Sequence, residues 1–511
     1  MPDKAWWDCA ALVPPYANWS SISMKIATLV LLLATLLIAT ASAADQAADN
    51  SAATSVAIDF ARPSGKIRAL HGVNNGPVMW GYADDVTKYH VDAGFPSTRL
   101  HDAHWPSPDV VDVPCIFPIF DADADDPKYY CFTKTDAYLA PIVKHGSRIT
   151  YRLGTSIENR LRNVIKPGVN NHPPKDYAKW AKICINIIRH YNEGWANGYH
   201  YNIKYFEIWN EPDGVGTWTG TMEQYFKLYE VAAKAIKAHD PSLKVGGPVM
   251  GGPIPFDTEP FLTYCRDRKL PLDFYAWHYY TDAPSELARV AILARAFLDK
   301  YGFKNAESHL TEWHYIMPPG LPDLGPVESL GDPQPKKMAD IRKYFAEMRG
   351  PKGASFTATA LMLLQDTPLD MSNFYAADTN PWSMFDECGI PGRVYYVFLA
   401  FHQLTKTPNR VACEKQGDPQ SKVTLCAGVS DDRKTASILV SNFAATPHKL
   451  SLRLQNLPLP QPVQVETFAV DATHAFASLG KTTWKRDEST LTLELPDHAV
   501  YLVRLGPASA K

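Results

Sequence analysis

Net charge of either sign is what this sequence lacks most. Its 51 lysines and arginines stand against 54 aspartates and glutamates in 511 residues. No bulk field draws it to nucleic acid or to an anionic membrane, and neither is expected as a partner. Cysteine is sparse, 8 in all. No Cys-x-x-Cys or His-x3-His spacing offers a zinc site, so no metal is expected. No glycine-rich turn follows the first candidate strand, which weakens a doubly wound dinucleotide fold, and no cofactor is expected. Internal repeats and low-complexity linkers are absent, so the domains should pack directly on one another. Long apolar runs are nearly absent too. The exception, Ile26–Ala41, is short for a membrane span of ~20 residues and has no basic stop-transfer cluster behind it.

That run has another reading. Met24-Lys25 precedes it and Ala41-Ser42-Ala43 follows it, the order of a secretory signal cleaved near Ala43. Residues 1–43 are therefore expected to be a signal region whose natural start is Met24. The mature chain would be secreted or periplasmic, with no stable membrane insertion. Its oligomeric state stays open. The sole Asn-x-Ser/Thr site, Asn18, lies ahead of the cleavage. Export permits disulfides. Cys115 with Cys131 and Cys413 with Cys426 flank short loops and are candidate pairs, whereas Cys184 shares a helical apolar face with Ile187 and Ile188 and reads as a buried thiol.

Between residues 66 and 405, short β-rich runs alternate with amphipathic helices. The candidate strands are Ala69–Val73, Ser97–His101, Arg148–Leu153, Ile203–Trp209, Leu243–Pro248, Leu272–His278, Ser308–Trp313 and Phe356–Leu364. Helices are expected at Asp176–Asn192, Thr221–His239, Ser285–Tyr301 and Lys336–Arg349, with Gly146, Gly194, Gly302 and Gly350 as left-handed caps. Thr221-Met-Glu-Gln224 is a capping box, and Tyr225, Leu228, Tyr229, Ala232 and Ile236 form one apolar stripe. Such alternation predicts an α/β fold: a (β/α)8 TIM barrel with an accessory β-sandwich. The sandwich is expected from the strand-rich region 406–511 together with an N-terminal strand, Ser55–Phe60, within 44–65.

Two runs carry the chemistry. Phe206-Glu-Ile-Trp209-Asn210-Glu211-Pro212-Asp213 ends the fourth candidate strand, and Ser308-His-Leu-Thr-Glu312-Trp313-His314 ends the seventh. Carboxylates at those ends of a closed barrel converge on one mouth. Cleavage of a glycosidic bond needs such a pair, one acid for the leaving oxygen and one carboxylate to attack or to activate water. The 13 tryptophans and 25 tyrosines suit a sugar cleft or a core equally; Trp80, Trp105, Trp218 and Trp382 are candidate stacking platforms. The acidic run Asp121-Ala-Asp123-Ala-Asp125-Asp126 lacks the Gly and Glu an EF-hand needs, since Asp126 and Phe132 stand there. It reads as a solvated loop.

These motifs resemble clan A glycoside hydrolases. With Arg99-Leu-His101, Asp273-Phe-Tyr-Ala-Trp-His278-Tyr-Tyr280 and the late Trp382–Pro391 stretch, the chain resembles glycoside hydrolase family 39, the β-xylosidase and α-L-iduronidase family. The resemblance implies a retaining enzyme with Glu211 as acid/base and Glu312 as nucleophile. It implies Asn210 on the sugar 2-OH, His278 on the glycone, Tyr280 beside the nucleophile, and Arg99 keeping Glu312 ionised. His101 and Asp102 on the rim of strand two, with Asn75 and Trp313, complete the expected substrate contacts. His104 stands on the same rim. His314, the end of strand one and a missing aromatic after Leu363-Leu364-Gln365-Asp366 depart from the family pattern and bear on the glycone. The expected partner is an oligo- or polysaccharide, with β-xylosidase the nearest activity. An endo-glycanase, an arabinosidase-type enzyme, a non-catalytic carbohydrate-binding barrel and a surface adhesion module are the alternatives.

Overall fold

The computed structural model describes residues 54–78, 85–103, 110–156, 171–214, 216–252, 254, 258–318, 320, 335–416, 422–485 and 490–508. The expected signal region, residues 1–43, lies outside them, as do Trp80, Trp105 and His104. Eight parallel strands close a barrel: β2 (Gly72–Asn74), β3 (Ser97–Leu100), β4 (Arg148–Leu153), β5 (Tyr205–Ile208), β6 (Lys244–Met250), β7 (Phe274–Thr281), β8 (Glu307–Tyr315) and β9 (Met371–Phe374), preceded in the chain by β1 (Thr54–Lys66). Seven barrel strands fall on the sequence-predicted runs. The eighth does not. Phe356–Leu364 falls on a helix, Pro351–Leu363, and the first residue of the 3-10 turn behind it, Leu364–Asp366, and the last barrel strand is β9.

The reason is burial on every side. Ten consecutive residues of that helix, Gly353–Met362, are buried. It lies between the barrel helix Pro284–Lys300 and strand β8 on one side and the second domain on the other. A helix without a solvated face loses its 3.6-residue period and reads like a buried strand. Gly350 differs for a related reason. Its φ is −79° and it opens this helix, with Pro351 at the first position, rather than closing the one before. Gly146, Gly194 and Gly302 are left-handed as expected.

The second domain comprises β10 (Asn409–Gln416), β11 (Val423–Val429), β12 (Ala436–Asn442), β13 (His448–Gln455), β14 (Val463–Val470), β15 (Ala475–Trp484), β16 (Leu491–Leu495) and β17 (Ala499–Pro507), joined by β1. All nine are hydrogen-bonded in one order, β15-β14-β17-β12-β11-β10-β1-β13-β16, so the expected sandwich is a single folded-over sheet. Residues from both ends, Leu452 of β13 and Val465 of β14 among them, share one core. Along β12, Ile438 and Val440 face that core while Leu439 joins the core of the barrel. The domains are thus fused through apolar side chains, and Ser441 Oγ adds a hydrogen bond to the carbonyl of Ser355 at 2.9 Å. No disulfide joins Cys115 to Cys131 or Cys413 to Cys426; Cys184 is a buried thiol. The acidic loop is held by lysines, Asp121 by Lys175 at 2.5 Å and Asp125 by Lys182.

Candidate active site

The rim of the barrel is built under strain. Asn75, Asp102, Trp209, Glu211 and Val249 adopt φ between 43° and 71° at or near the C-terminal ends of β2, β3, β5 and β6. None is glycine, so each conformation is imposed by its surroundings. Around Glu211 the restraints are explicit. The Trp209 N–H donates to the Leu153 carbonyl at 2.8 Å and its indole N–H to the Thr217 carbonyl at 2.9 Å. The Glu211 N–H donates to the Val249 carbonyl at 2.9 Å. From the helix Met222–His239, Tyr225 Oη reaches the carbonyls of Ile208 at 3.0 Å and Pro248 at 3.2 Å, fixing β5 to β6 beneath the carboxylate. The capping box that starts this helix is formed, Thr221 and Gln224 bonding reciprocally. A cap and an apolar stripe thereby set the acid's position.

Glu211 and Glu312 converge. His278 Nδ1 lies 2.7 Å from Glu211 Oε1 and 3.4 Å from Glu312 Oε2. One carboxylate oxygen of each glutamate and a ring nitrogen of His278 all lie within 4.8 Å of one another. Three such groups could also chelate a cation, but here they sit in a shared hydrogen-bond network. Burial pushes the Glu211 carboxyl up to about 7, against the pull of Arg99. Burial holds His278 down at about 3, so its ring is neutral at working pH.

Glu312 is held from two sides. Tyr280 Oη donates to its Oε2 at 2.6 Å, and Arg99 Nη1 donates to its Oε1 at 2.7 Å. Arg99 is wholly buried. It also bonds Asn74 Oδ1 at 3.1 Å, Asn210 Oδ1 at 2.7 Å, and Glu207 Oε1 at 2.7 Å through Nε. Burial opposes its charge, yet Glu207 and Glu312 outweigh that and hold its pKa above the ordinary value. His101 Nε2 lies 3.1 Å from Asp102 and 3.9 Å from Glu312. Tyr375 Oη donates to Asp102 at 2.9 Å. Asn75 Oδ1 accepts the His101 N–H at 3.2 Å, and its amide donates to Asp378 at 3.1 Å.

The structure therefore gathers Glu211, Glu312, Asn210, His278, Tyr280, Arg99, His101, Asp102 and Asn75 at one mouth. It does not bring Trp313 there. Residues of β8 alternate faces, and Trp313 is fully buried with its ring edge-on to Phe374. Trp218 is also core, packed edge-on against Trp209, whereas Trp382 is partly open and lies 6.3 Å from the Tyr280 ring. The aromatic expected to be missing is present. Since β9 is the eighth strand, Phe374 ends it and Tyr375, next in the chain, reaches the rim. His314 is buried, its ring nitrogens lying 2.9 Å from the Tyr315 carbonyl and 3.1 Å from the Trp382 carbonyl. Glu207, Asn74, Tyr375 and Asp378 were missed. For Glu207 a signal existed: a charged residue inside the apolar run Tyr205–Trp209 demands a buried cation.

A closed parallel barrel with two facing carboxylates at its C-terminal rim is a construction suited to cleaving a glycosidic bond. Comparison with known proteins narrows the class. A family model described as glycosyl hydrolases family 39 matches residues 82–310. A β-xylosidase of Caldicellulosiruptor saccharolyticus is 38% identical over 316 residues, 59% of this chain and 58% of that protein. A β-xylosidase of Geobacillus stearothermophilus is 34% identical over 170 residues, 28% of this chain and 32% of that protein. The matches thus span less than two thirds of these relatives' own length. A crystal structure of a glucosidase from Croceicoccus marinus superposes with a TM-score of 0.71 at 25% identity, covering 89% of this chain and 100% of that one. Over residues 82–310 the chain is thus similar to glycosyl hydrolases family 39.

Proposed function

We propose that this protein hydrolyses glycosidic bonds with retention of anomeric configuration, acting as an exported β-xylosidase-like enzyme. The observation that carries the reading is the carboxylate separation. Oxygens of Glu211 and Glu312 within 4.8 Å of each other fit the ~5–5.5 Å of a double displacement and leave no room for the water of an inverting site. Glu312 attacks the anomeric carbon while Glu211 gives its proton to the departing oxygen. Water then enters, Glu211 takes back a proton, and the hydroxide displaces Glu312 from the sugar. The raised Glu211 carboxyl suits the first role, because it starts protonated near neutrality. Tyr280 and Arg99 hold the two oxygens of Glu312 in place. Asn210 Nδ2 and His278 Nε2 are buried without a protein partner, and both fit sugar hydroxyls.

Export rests on the signal-like residues 24–43. A glucoside is the second reading for the glycone, favoured by the likeness to the Croceicoccus marinus glucosidase. The test is Glu312→Ala with aryl xylosides and glucosides. Turnover should vanish and return with azide, which bonds the anomeric carbon as the aryl oxide leaves and gives an inverted glycosyl azide. Full activity without azide would refute the nucleophile assignment.

A further inference from the structure

Two residues past Glu211, and absent from every role above, Asp213 makes an unusual pair of contacts. Its Oδ1 accepts the Gly251 N–H at 3.1 Å and its Oδ2 accepts the Gly252 N–H at 2.6 Å. One carboxylate thus grips two successive amides of the turn that follows β6. That turn lies directly under the acid. A Cβ at Gly251 would stand 2.6 Å from Glu211 Oε1 and 2.7 Å from its carboxyl carbon, and a Cβ at Gly252 would stand 2.8 Å from Asp213 Oδ2. Real Cβ atoms do not come so close, so the Glu211 carboxyl can lie on this backbone only because residue 251 has no side chain. Gly251 has no left-handed φ. Its requirement is space, not conformation.

We propose that Asp213 and Gly251 are positioning residues for the general acid, the aspartate pinning the glycine turn as the floor on which the Glu211 carboxyl rests. The floor does two things. It fixes the direction of Oε1, which meets His278 Nδ1 at 2.7 Å. It also excludes water from one side of the carboxyl, which supports the burial that raises its proton affinity. Asp213 is itself pushed up to about 6, by burial first and then by Glu211, while its amide bonds pull the other way. Asp213 therefore feels the Glu211 carboxyl across the turn, and losing the clamp both loosens the floor and admits solvent.

The inference rests on Glu211 being the acid, and the experiment separates the two ideas. Asp213→Ala, Asp213→Asn, Gly251→Ala and Glu211→Ala are compared on a dinitrophenyl xyloside, whose leaving group needs no proton, and on xylobiose, whose leaving group does. Asp213→Ala should lose about 100-fold in kcat/KM on xylobiose, the low end of what a general acid contributes, and less than about 3-fold on the aryl substrate. The alkaline limb of its pH profile should move to lower pH. Gly251→Ala should show the same selectivity, and Asp213→Asn should recover part of the loss, since one amide bond survives. Should Asp213→Ala fail to fold, Asp213→Asn and Gly251→Ala carry the test. Equal losses on both substrates, or an unmoved alkaline limb, would overturn the proposal while Glu211→Ala stays selective. A Glu211→Ala variant without selectivity would instead overturn the acid assignment.

Discussion

Glu211→Gln should stabilise this protein while crippling it, and only above a definite pH. In the unfolded chain the carboxyl loses its proton near 4.5, whereas in the fold burial holds it to about 7. A folded pKa raised in this way leaves stability intact below 4.5. Between 4.5 and 7 the unfolded chain releases the proton more readily, so stability falls as pH rises, and the loss is complete above 7. A shift of that size corresponds to on the order of 3 kcal/mol. The side chain is 23% open to solvent, which screens part of this and leaves about 2 kcal/mol as the measurable effect. Glutamine carries no charge at any pH and can donate to His278 Nδ1 as the protonated acid does. Urea unfolding of both proteins from pH 4 to 8 reads the difference directly. The variant should match the wild type near pH 4 and exceed it increasingly toward pH 8. Its kcat/KM on xylobiose should fall by about 10²–10⁴ and lose the alkaline limb near 7. A stability difference that does not grow with pH, or that favours the wild type at pH 8, would refute the burial argument.

Removing the guanidinium by Arg99→Met leaves Glu207 and Glu312 facing each other without their cation. Unfolding free energy should drop by roughly 3–5 kcal/mol, and a loss under about 1 kcal/mol would contradict the buried network. Tyr280→Phe deletes the 2.6 Å bond to Glu312 Oε2. A hydrogen bond to a charge predicts about a 10- to 100-fold fall in kcat, and unchanged kcat would place the tyrosine outside the machinery. Thr221→Ala opens the capping box at the start of the helix that holds β5 and β6. It should lower stability by about 1 kcal/mol without altering leaving-group dependence, as urea curves and the two substrates together would report.

Much of the barrel was written in local pattern. Strands such as Arg148–Leu153 are short β-rich runs buried on both faces, while helices such as Met222–His239 present one buried and one solvated face, and that contrast survives in one dimension. Both glutamates stood out because each ends a β run in a carboxylate. The helix Pro351–Leu363 broke the pattern, having no wet face to set its period, and its misreading displaced the eighth strand. The aromatic Tyr375 then seemed absent from a site it helps to line. Glu207 was legible in principle as a charge inside an apolar strand, but its partner Arg99 lies 108 positions away. Trp313 misled in the opposite way. Adjacency to Glu312 in the chain put it on the opposite face of the strand.

Strand β1 has a consequence for how the chain reaches its final form. It lies between β10, to which it is antiparallel, and β13, to which it is parallel, and it is the one connection between them. Take it out and the nine-stranded sheet falls into a six-stranded part and a lone β13–β16 ribbon. One edge of β1 pairs with residues 409–416 and the other with residues 450–455, so this early-made segment waits for partners made roughly 350 to 400 residues later. Completion of the second domain is thereby tied to residues made late in the chain, and a fusion partner placed just ahead of residue 54 would sit at the keystone of the sheet instead of at a loose end.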